Sequence, residues 1–483
     1  MNKRLVLRLL GAILLIEALA MAPSLAISLL YGDGDALALL SSMALLAALG
    51  FPAWRFAHPR EQNLRAREGF LVVALSWVLL SAFGALPFVI SGLIPNYIDA
   101  FFEAVSGFTT TGATVLGNFE GLPRGVMFWR SFTHWIGGMG VLVLTLALLP
   151  QMTGRSSHLV RAESPGPSLS KIVPKMGDTA KILYLIYGVL TVIELAALII
   201  AGMSPYDAAI HAMGTAGTGG FSNYGSSIGA FDSAVIDAII TFFMVLFGIN
   251  FALFYRVLVG GWRDALRSEE LRWYLALFAG STLFVSLMIL PQYGTFLNAL
   301  RYGSFQVATI MSTTGYATAD FNLWPQAVKA LIVVLMFIGS CAGSTAGGIK
   351  TTTIAILYLT CWSVLKGTED TECFRRRMPA ANVRTAFSVL TVAGTAVLTG
   401  TMLILVLEHT GLIPAFYEVV SAVGTVGLTA GLTPVLTTAG KLVIIVLMYM
   451  GRLSPVTLAL LFASRYKKHG KGRKLPEERI MVG

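Results

Sequence analysis

Four segments of this chain run from an amphipathic stretch into a Thr/Gly-rich turn: FFEAVSGFTTTGAT, HAMGTAGTGGF, ATIMSTTGYA and EVVSAVGTVGLTAG. Such turns can present backbone oxygens at close spacing, because glycine adopts left-handed and mirror-β conformations at little steric cost. A cation entering a low-dielectric membrane must exchange its hydration shell for several oxygens at once, and rings of backbone carbonyls supply them without a fixed charge. The candidate ligating residues are Thr110, Thr111, Gly112 and Ala113; Gly217, Thr218, Gly219 and Gly220; Thr313, Thr314, Gly315 and Tyr316; and Thr425, Val426, Gly427 and Leu428. Aligned on Gly112, Gly219, Gly315 and Gly427, the turns recur after 107, 96 and 112 residues, enough for a pair of spans and a re-entrant loop. One such turn is ordinary small-residue helix packing. Four in register, each between two spans, predict loops that meet on one axis as an ion filter, with the negative end of each preceding half-helix aimed at the ion path.

The elements that must position these turns are membrane spans. With 55% hydrophobic residues, 12% charged residues and a mean hydropathy of +0.74, the chain is an all-α polytopic membrane protein, since soluble domains carry about twice that charged fraction. Apolar runs predict ten spans, near 5–31, 36–56, 68–92, 125–150, 179–203, 233–259, 271–291, 327–364, 384–409 and 438–463. Basic residues in alternate loops, such as Arg155, Arg161, Lys171 and Lys175, put both termini in the cytoplasm. The expected organisation is two extra N-terminal helices over 1–67, four helix/pore-loop/helix repeats over 68–150, 179–259, 271–364 and 384–465, and a basic cytoplasmic tail over 466–483. Glu17 interrupts the first apolar run, which favours a retained helix over a cleaved signal peptide. The formal charge of +10 is spread over separate membrane-flanking loops, so it serves topology and lipid contact and gives no nucleic-acid surface.

Other residues carry chemistry of a different kind. Gly339, Gly343, Gly347 and Gly348 lie inside the eighth span, and each costs a helix about 1 kcal/mol relative to alanine, so that span is weak at its centre. Arg452 lies near the middle of the last span, where a charge costs at least about 2.5 kcal/mol and must face a partner or water. Arg130 and His134 read as interface and packing residues, and Glu17, Glu103, Glu194 and Glu418 as hydrogen-bonded membrane carboxyls. Cys341, Cys361 and Cys373 make neither a disulfide framework nor a zinc spacing. No HExxH, GxSxG or paired-Asp motif in the spans supports an enzyme, and no P-loop or dinucleotide fingerprint occurs in a strand-to-helix context.

Together with CAGSTAGGIK at 341–350, RAESPGP at 161–167 and MGRLSP at 450–455, the four turns make the chain resemble the Trk/Ktr/HKT superfamily of potassium transporters over nearly its whole length. RAESPGP and the two extra helices are similar to TrkH-type members, whereas SAVGTVGL and MGRLSPVTLAL are closer to KtrB-type ones. The resemblance implies potassium uptake across the cytoplasmic (inner) membrane, with potassium as the transported ion and no organic cofactor. It also implies a homodimer on a cytoplasmic nucleotide-binding regulatory subunit of the TrkA or KtrA type. Glycine at all four filter positions resembles the potassium-selective members; some plant relatives with serine at the position of Gly112 pass sodium. Gly343, Ser344, Thr345, Ala346, Gly347 and Gly348, with Lys350, correspond to an intramembrane loop that blocks the pore below the filter, and Arg452 would lie there as a cation barrier or as a partner of that loop. The TTT that follows GGIK departs from many relatives. Passive conduction and sodium- or proton-coupled symport are both compatible with the sequence.

Overall fold

The computed structural model describes residues 2–57, 66–119, 121–148, 176–368, 370–373 and 376–453. RAESPGP and the basic tail lie outside the described residues. The chain is nearly all helical, and the only strand pair among the described residues joins Glu372–Cys373 to Arg376–Arg377. Six helices are long and apolar enough to cross a membrane, or seven if a bent pair counts as one span. They are Lys3–Tyr31, Ala36–Phe56, Leu71–Ile90, Lys181–Ile200, Glu269–Tyr293 and Ala380–Glu408.

Four of the ten expected spans are not single helices: the first and the third have short breaks, the third between Ala66–Gly84 and Leu86–Ile90, and two others are interrupted more deeply. The run 233–259 becomes Ala234–Phe247 and Phe251–Leu258, bent by 92°. The run 327–364 becomes Gln326–Phe337 and Thr351–Leu365. The reason is backbone handedness: Gly343 and Gly348 hold φ of +74° and +64°, which a right-handed helix cannot contain. The intervening segment is a loop closed at its neck, where Gly339 N donates to Ile349 O at 2.7 Å and Thr351 N to Ser340 O at 3.1 Å. The first span also breaks, at Met21 just before Pro23, and the last has its described part over Thr438–Arg452.

Between longer helices lie four short ones that end deep inside the molecule: Tyr97–Phe108, Pro205–Gly217, Phe296–Met311 and Leu412–Gly424. Side chains of Asn96, Ser204 and Thr295 cap three of their N-termini by accepting otherwise unpaired backbone N–H groups. At the other end burial is nearly complete, with Val105, Ala216, Ile310 and Val419 all 0% exposed. These helices are too short to span and too buried to be surface elements, so their C-termini point into the protein interior.

Candidate functional site

Each short helix ends in the same way. The backbone N–H groups of Thr110 and Thr111 donate to Gly107 O and Ser106 O; Thr218 and Gly219 donate to Thr215 O and Gly214 O; Thr313 and Thr314 to Ile310 O and Thr309 O; Thr425 and Val426 to Ala422 O and Ser421 O. This is the Schellman pattern, whose left-handed residue is normally glycine. Here it is threonine four times, at φ of +56°, +56°, +57° and +53° for Thr110, Thr218, Thr313 and Thr425. A β-branched residue in this region is strained by about 1–3 kcal/mol and persists only where its surroundings impose it.

Two residues beyond each threonine stands a left-handed glycine: Gly112, Gly220, Gly315 and Gly427. The second turn is therefore shifted by one from the sequence alignment, which placed Gly219 there and counted Gly217 as a loop residue. Gly217 is the last residue of its helix, and the glycines recur after 108, 95 and 112 residues. Their contacts close in a circle. A Cβ on Gly112 would lie 1.9 Å from Gly219 O, one on Gly220 2.0 Å from Thr314 O, one on Gly315 2.0 Å from Val426 O, and one on Gly427 2.1 Å from Thr111 O. Each turn leans on the carbonyl that precedes the next turn's glycine, and the fourth leans on the first. Ala113, Phe221, Tyr316 and Leu428 follow the glycines with their side chains buried away from solvent.

A brace that the sequence reading missed stands behind this ring. Nine residues before each ring glycine is a polar residue: Glu103, His211, Gln306 and Glu418. Two residues after it are Thr114, Ser222, Ala317 and Thr429. Thr114 Oγ1 donates to Glu103 Oε1 at 2.8 Å, and Thr429 Oγ1 to Glu418 Oε2 at 2.6 Å. His211 Nδ1 must donate to the carbonyl of Asp207, so in the neutral ring Nε2 accepts from Ser222 Oγ at 3.0 Å. Each hydroxyl then accepts the backbone N–H two residues on, from Leu116, Tyr224 and Gly431, each at 3.1 Å. The half-helix thus holds the outgoing strand through one side-chain hydroxyl. The readable signal was the fixed offset, which survives although the residue types differ.

Arg130 and His134 also do more than pack. Arg130 Nε donates to Glu103 Oε1 at 2.6 Å, Nη1 donates to Ser222 O at 3.1 Å, and the guanidinium lies 3.5 Å from the Phe221 ring centroid. One buried cation therefore ties the first turn to the second. His134 Nδ1 donates to Gly107 O at 2.8 Å, and its ring stands against Gly219. Tyr316 Oη donates to His211 O at 3.0 Å, which ties the third turn to the second.

The non-helical loop 338–350 lies directly against this ring. Thr218 Oγ1 donates to Thr345 O at 3.1 Å, Gly347 N donates to Thr313 Oγ1 at 2.9 Å, and a Cβ on Gly347 would meet Thr425 Oγ1 at 1.8 Å. Three of the four strained threonines therefore touch it. Arg452 Nη1 donates to Thr345 O and Nη2 to Gly137 O, both at 2.9 Å, so the arginine joins the loop to the helix Arg124–Leu148. Lys350 Nζ donates to Ala346 O and, at 3.3 Å, to Gly347 O. Ser344 Oγ donates to Cys341 O at 2.7 Å, and Glu270 Oε1 accepts from Ala342 N at 2.8 Å. The expected loop residues thus come together beneath the turns, and Arg452 meets a loop carbonyl where the sequence left two roles open. Glu17, unlike Glu103 and Glu418, has no hydrogen-bond partner for either carboxyl oxygen among the described residues.

The chain is similar to known proteins over most of its length. The TrkH family profile, described as a cation transport protein, matches residues 38–469. The Trk system potassium uptake protein TrkH of Halomonas elongata is 34% identical over 96% of this chain and 99% of its own length. Its Escherichia coli K12 counterpart is 37% identical over 74% of this chain and 75% of its own length. The crystal structure of the potassium transporter TrkH from Vibrio parahaemolyticus superposes with a TM-score of 0.87 at 29% identity, covering 96% of this chain and all of that one.

Proposed function

This chain belongs to the TrkH family of cation transport proteins, and from that premise we propose that it is the ion-conducting membrane subunit of a Trk-type potassium uptake system. The observation that carries the reading is the closed circle of four glycine-to-carbonyl contacts through Gly112, Gly220, Gly315 and Gly427. Such a circle brings the carbonyls of Thr111, Gly219, Thr314 and Val426 around one axis, and carbonyl rings of this kind strip and replace a cation's hydration shell. The second repeat's filter segment is Thr218, Gly219, Gly220 and Phe221. The loop from Gly343 to Gly348, with Lys350 and Arg452, is the gate: it closes the path below the ring and must withdraw for ions to pass.

Both termini in the cytoplasm of an inner membrane, a homodimeric assembly and a nucleotide-binding cytoplasmic subunit complete the proposal, supported by loop charge and by the family. The direct test is rubidium-86 uptake into potassium-loaded proteoliposomes of the purified chain, diluted into sodium or sorbitol. Uptake blocked by external potassium and not by sodium is the expected result. Uptake that requires an imposed sodium or proton gradient would replace the passive pore with a symporter.

The gate assignment makes its own prediction. Arg452→Gln removes a charge beneath the ring and the link from Thr345 O of the loop to Gly137 O of the helix Arg124–Leu148, so uptake without any regulatory partner is expected to rise by at least about threefold. Unchanged or slower uptake in a variant that remains folded would show that Arg452 does not restrain the loop.

A further inference from the structure

The hydroxyl brace is present at three corners of the ring and missing at the third. Gln306 occupies the position taken elsewhere by Glu103, His211 and Glu418, and Ala317 the position of the hydroxyl. Gln306 is 1% exposed, and neither its Oε1 nor its Nε2 has a hydrogen-bond partner among the described residues. The hydroxyl of Thr318, one residue further along, is buried and unpartnered as well, so it does not substitute. The backbone of Ala317 is instead held from outside: its N–H donates to Ser227 Oγ at 3.3 Å and its carbonyl accepts from Gly229 N at 3.1 Å. Both partners belong to the connecting loop of the preceding unit.

We infer that Gln306 and Ala317 form an unengaged brace, and that this third corner sets how well the ring discriminates potassium from sodium. A carbonyl ring that yields around the smaller ion loses part of its preference for the larger, and at the third corner the resistance comes from the two backbone bonds with Ser227 and Gly229 instead of from a brace. A buried carboxamide with no partner is an unfavourable group to keep. At this offset every other unit carries an acceptor, and the acceptor is retained here where its donor is absent. Only with a hydroxyl at residue 317 would Gln306 act through the strand, as a positioning residue for Gly315.

The inference rests on the filter reading above, and a double-mutant cycle tests the two separately. The ratio of potassium to sodium transport is measured in proteoliposomes for the parent chain, Ala317→Ser, Gln306→Leu and the double variant. Ala317→Ser places a hydroxyl at the offset used by Thr114, Ser222 and Thr429, and is expected to raise the ratio by at least about threefold. Gln306→Leu is expected to leave the ratio unchanged and the thermal midpoint no lower than the parent's, because it removes a buried group that bonds nothing and is unfavourable to keep. In the double variant the gain is expected to vanish, since the serine has lost its acceptor. A fall in the ratio with Gln306→Leu alone would mean that the brace is already engaged and would overturn the inference. No gain from Ala317→Ser, or an equal gain in both backgrounds, would do the same. A parent chain with no preference for potassium would overturn the filter itself.

Discussion

Gly112→Ser is expected to cut the preference for potassium over sodium by at least about tenfold while the protein still inserts and folds. At φ of +83° an L residue is strained, and its Cβ would fall 1.9 Å from the carbonyl oxygen of Gly219. That oxygen belongs to the ring, so either it or the Gly112 backbone must move by an amount comparable to the difference in size between the two ions. The measurement is the ratio of rubidium-86 to sodium-22 uptake in the same vesicles, and an unchanged ratio would mean that this turn only packs helices. The shifted second turn gives a companion check. A Cβ on Gly219 meets first the ring of His134, whereas one on Gly220 meets the backbone of Thr314. Losses from Gly219→Ala should therefore be partly recovered by His134→Ala, and losses from Gly220→Ala should not.

Glu103→Ala should be the most destabilising single change outside the ring. Glu103 and Arg130 are 0% and 1% exposed and 2.6 Å apart, so removal of the carboxylate strands a buried guanidinium and also takes the acceptor from Thr114 and from Val115 N. Breaking a buried pair from one side costs about 3–5 kcal/mol, against roughly 0–1 for a surface pair. Thermal unfolding in detergent is expected to shift down by on the order of 5 °C. Glu103→Leu combined with Arg130→Met should recover most of the loss, because two apolar side chains leave no uncompensated charge. A double variant as unstable as Glu103→Ala would assign the cost to the hydroxyl brace instead of the ion pair.

Much of this architecture was legible in the sequence because it depends on local chemistry. Thr/Gly turns bounded by apolar runs locate all four loops, and four glycines inside one apolar run mark the break between Gln326–Phe337 and Thr351–Leu365, whereas the 92° bend after Phe247 carried no such signal. The frame of the second turn was not legible, because GTAGTGGF offers both Thr215-Ala216-Gly217 and Thr218-Gly219-Gly220, and which threonine turns left-handed depends on what surrounds it. The brace was hidden for a related reason. Glu103, His211, Gln306 and Glu418 differ in charge and shape, so composition does not group them; only their common distance from the ring glycines does. Arg452 was recognisable as a charge in need of a partner, but its partners, Thr345 O and Gly137 O, are backbone atoms of segments far apart in the chain.

The last contact of the ring, from Gly427 back to Thr111, has a consequence for biosynthesis. A ribosome delivers the first turn long before the fourth, so three turns must wait in the bilayer with one side of the circle open. Until the final segment docks, the strained threonines and unsatisfied carbonyls have no complete set of neighbours to hold them, and the nascent protein cannot present a finished ion path to the cell. Translation of the carboxyl-terminal quarter is thus the step that completes the circle, and a chain stopped before Gly427 lacks the contact that closes it.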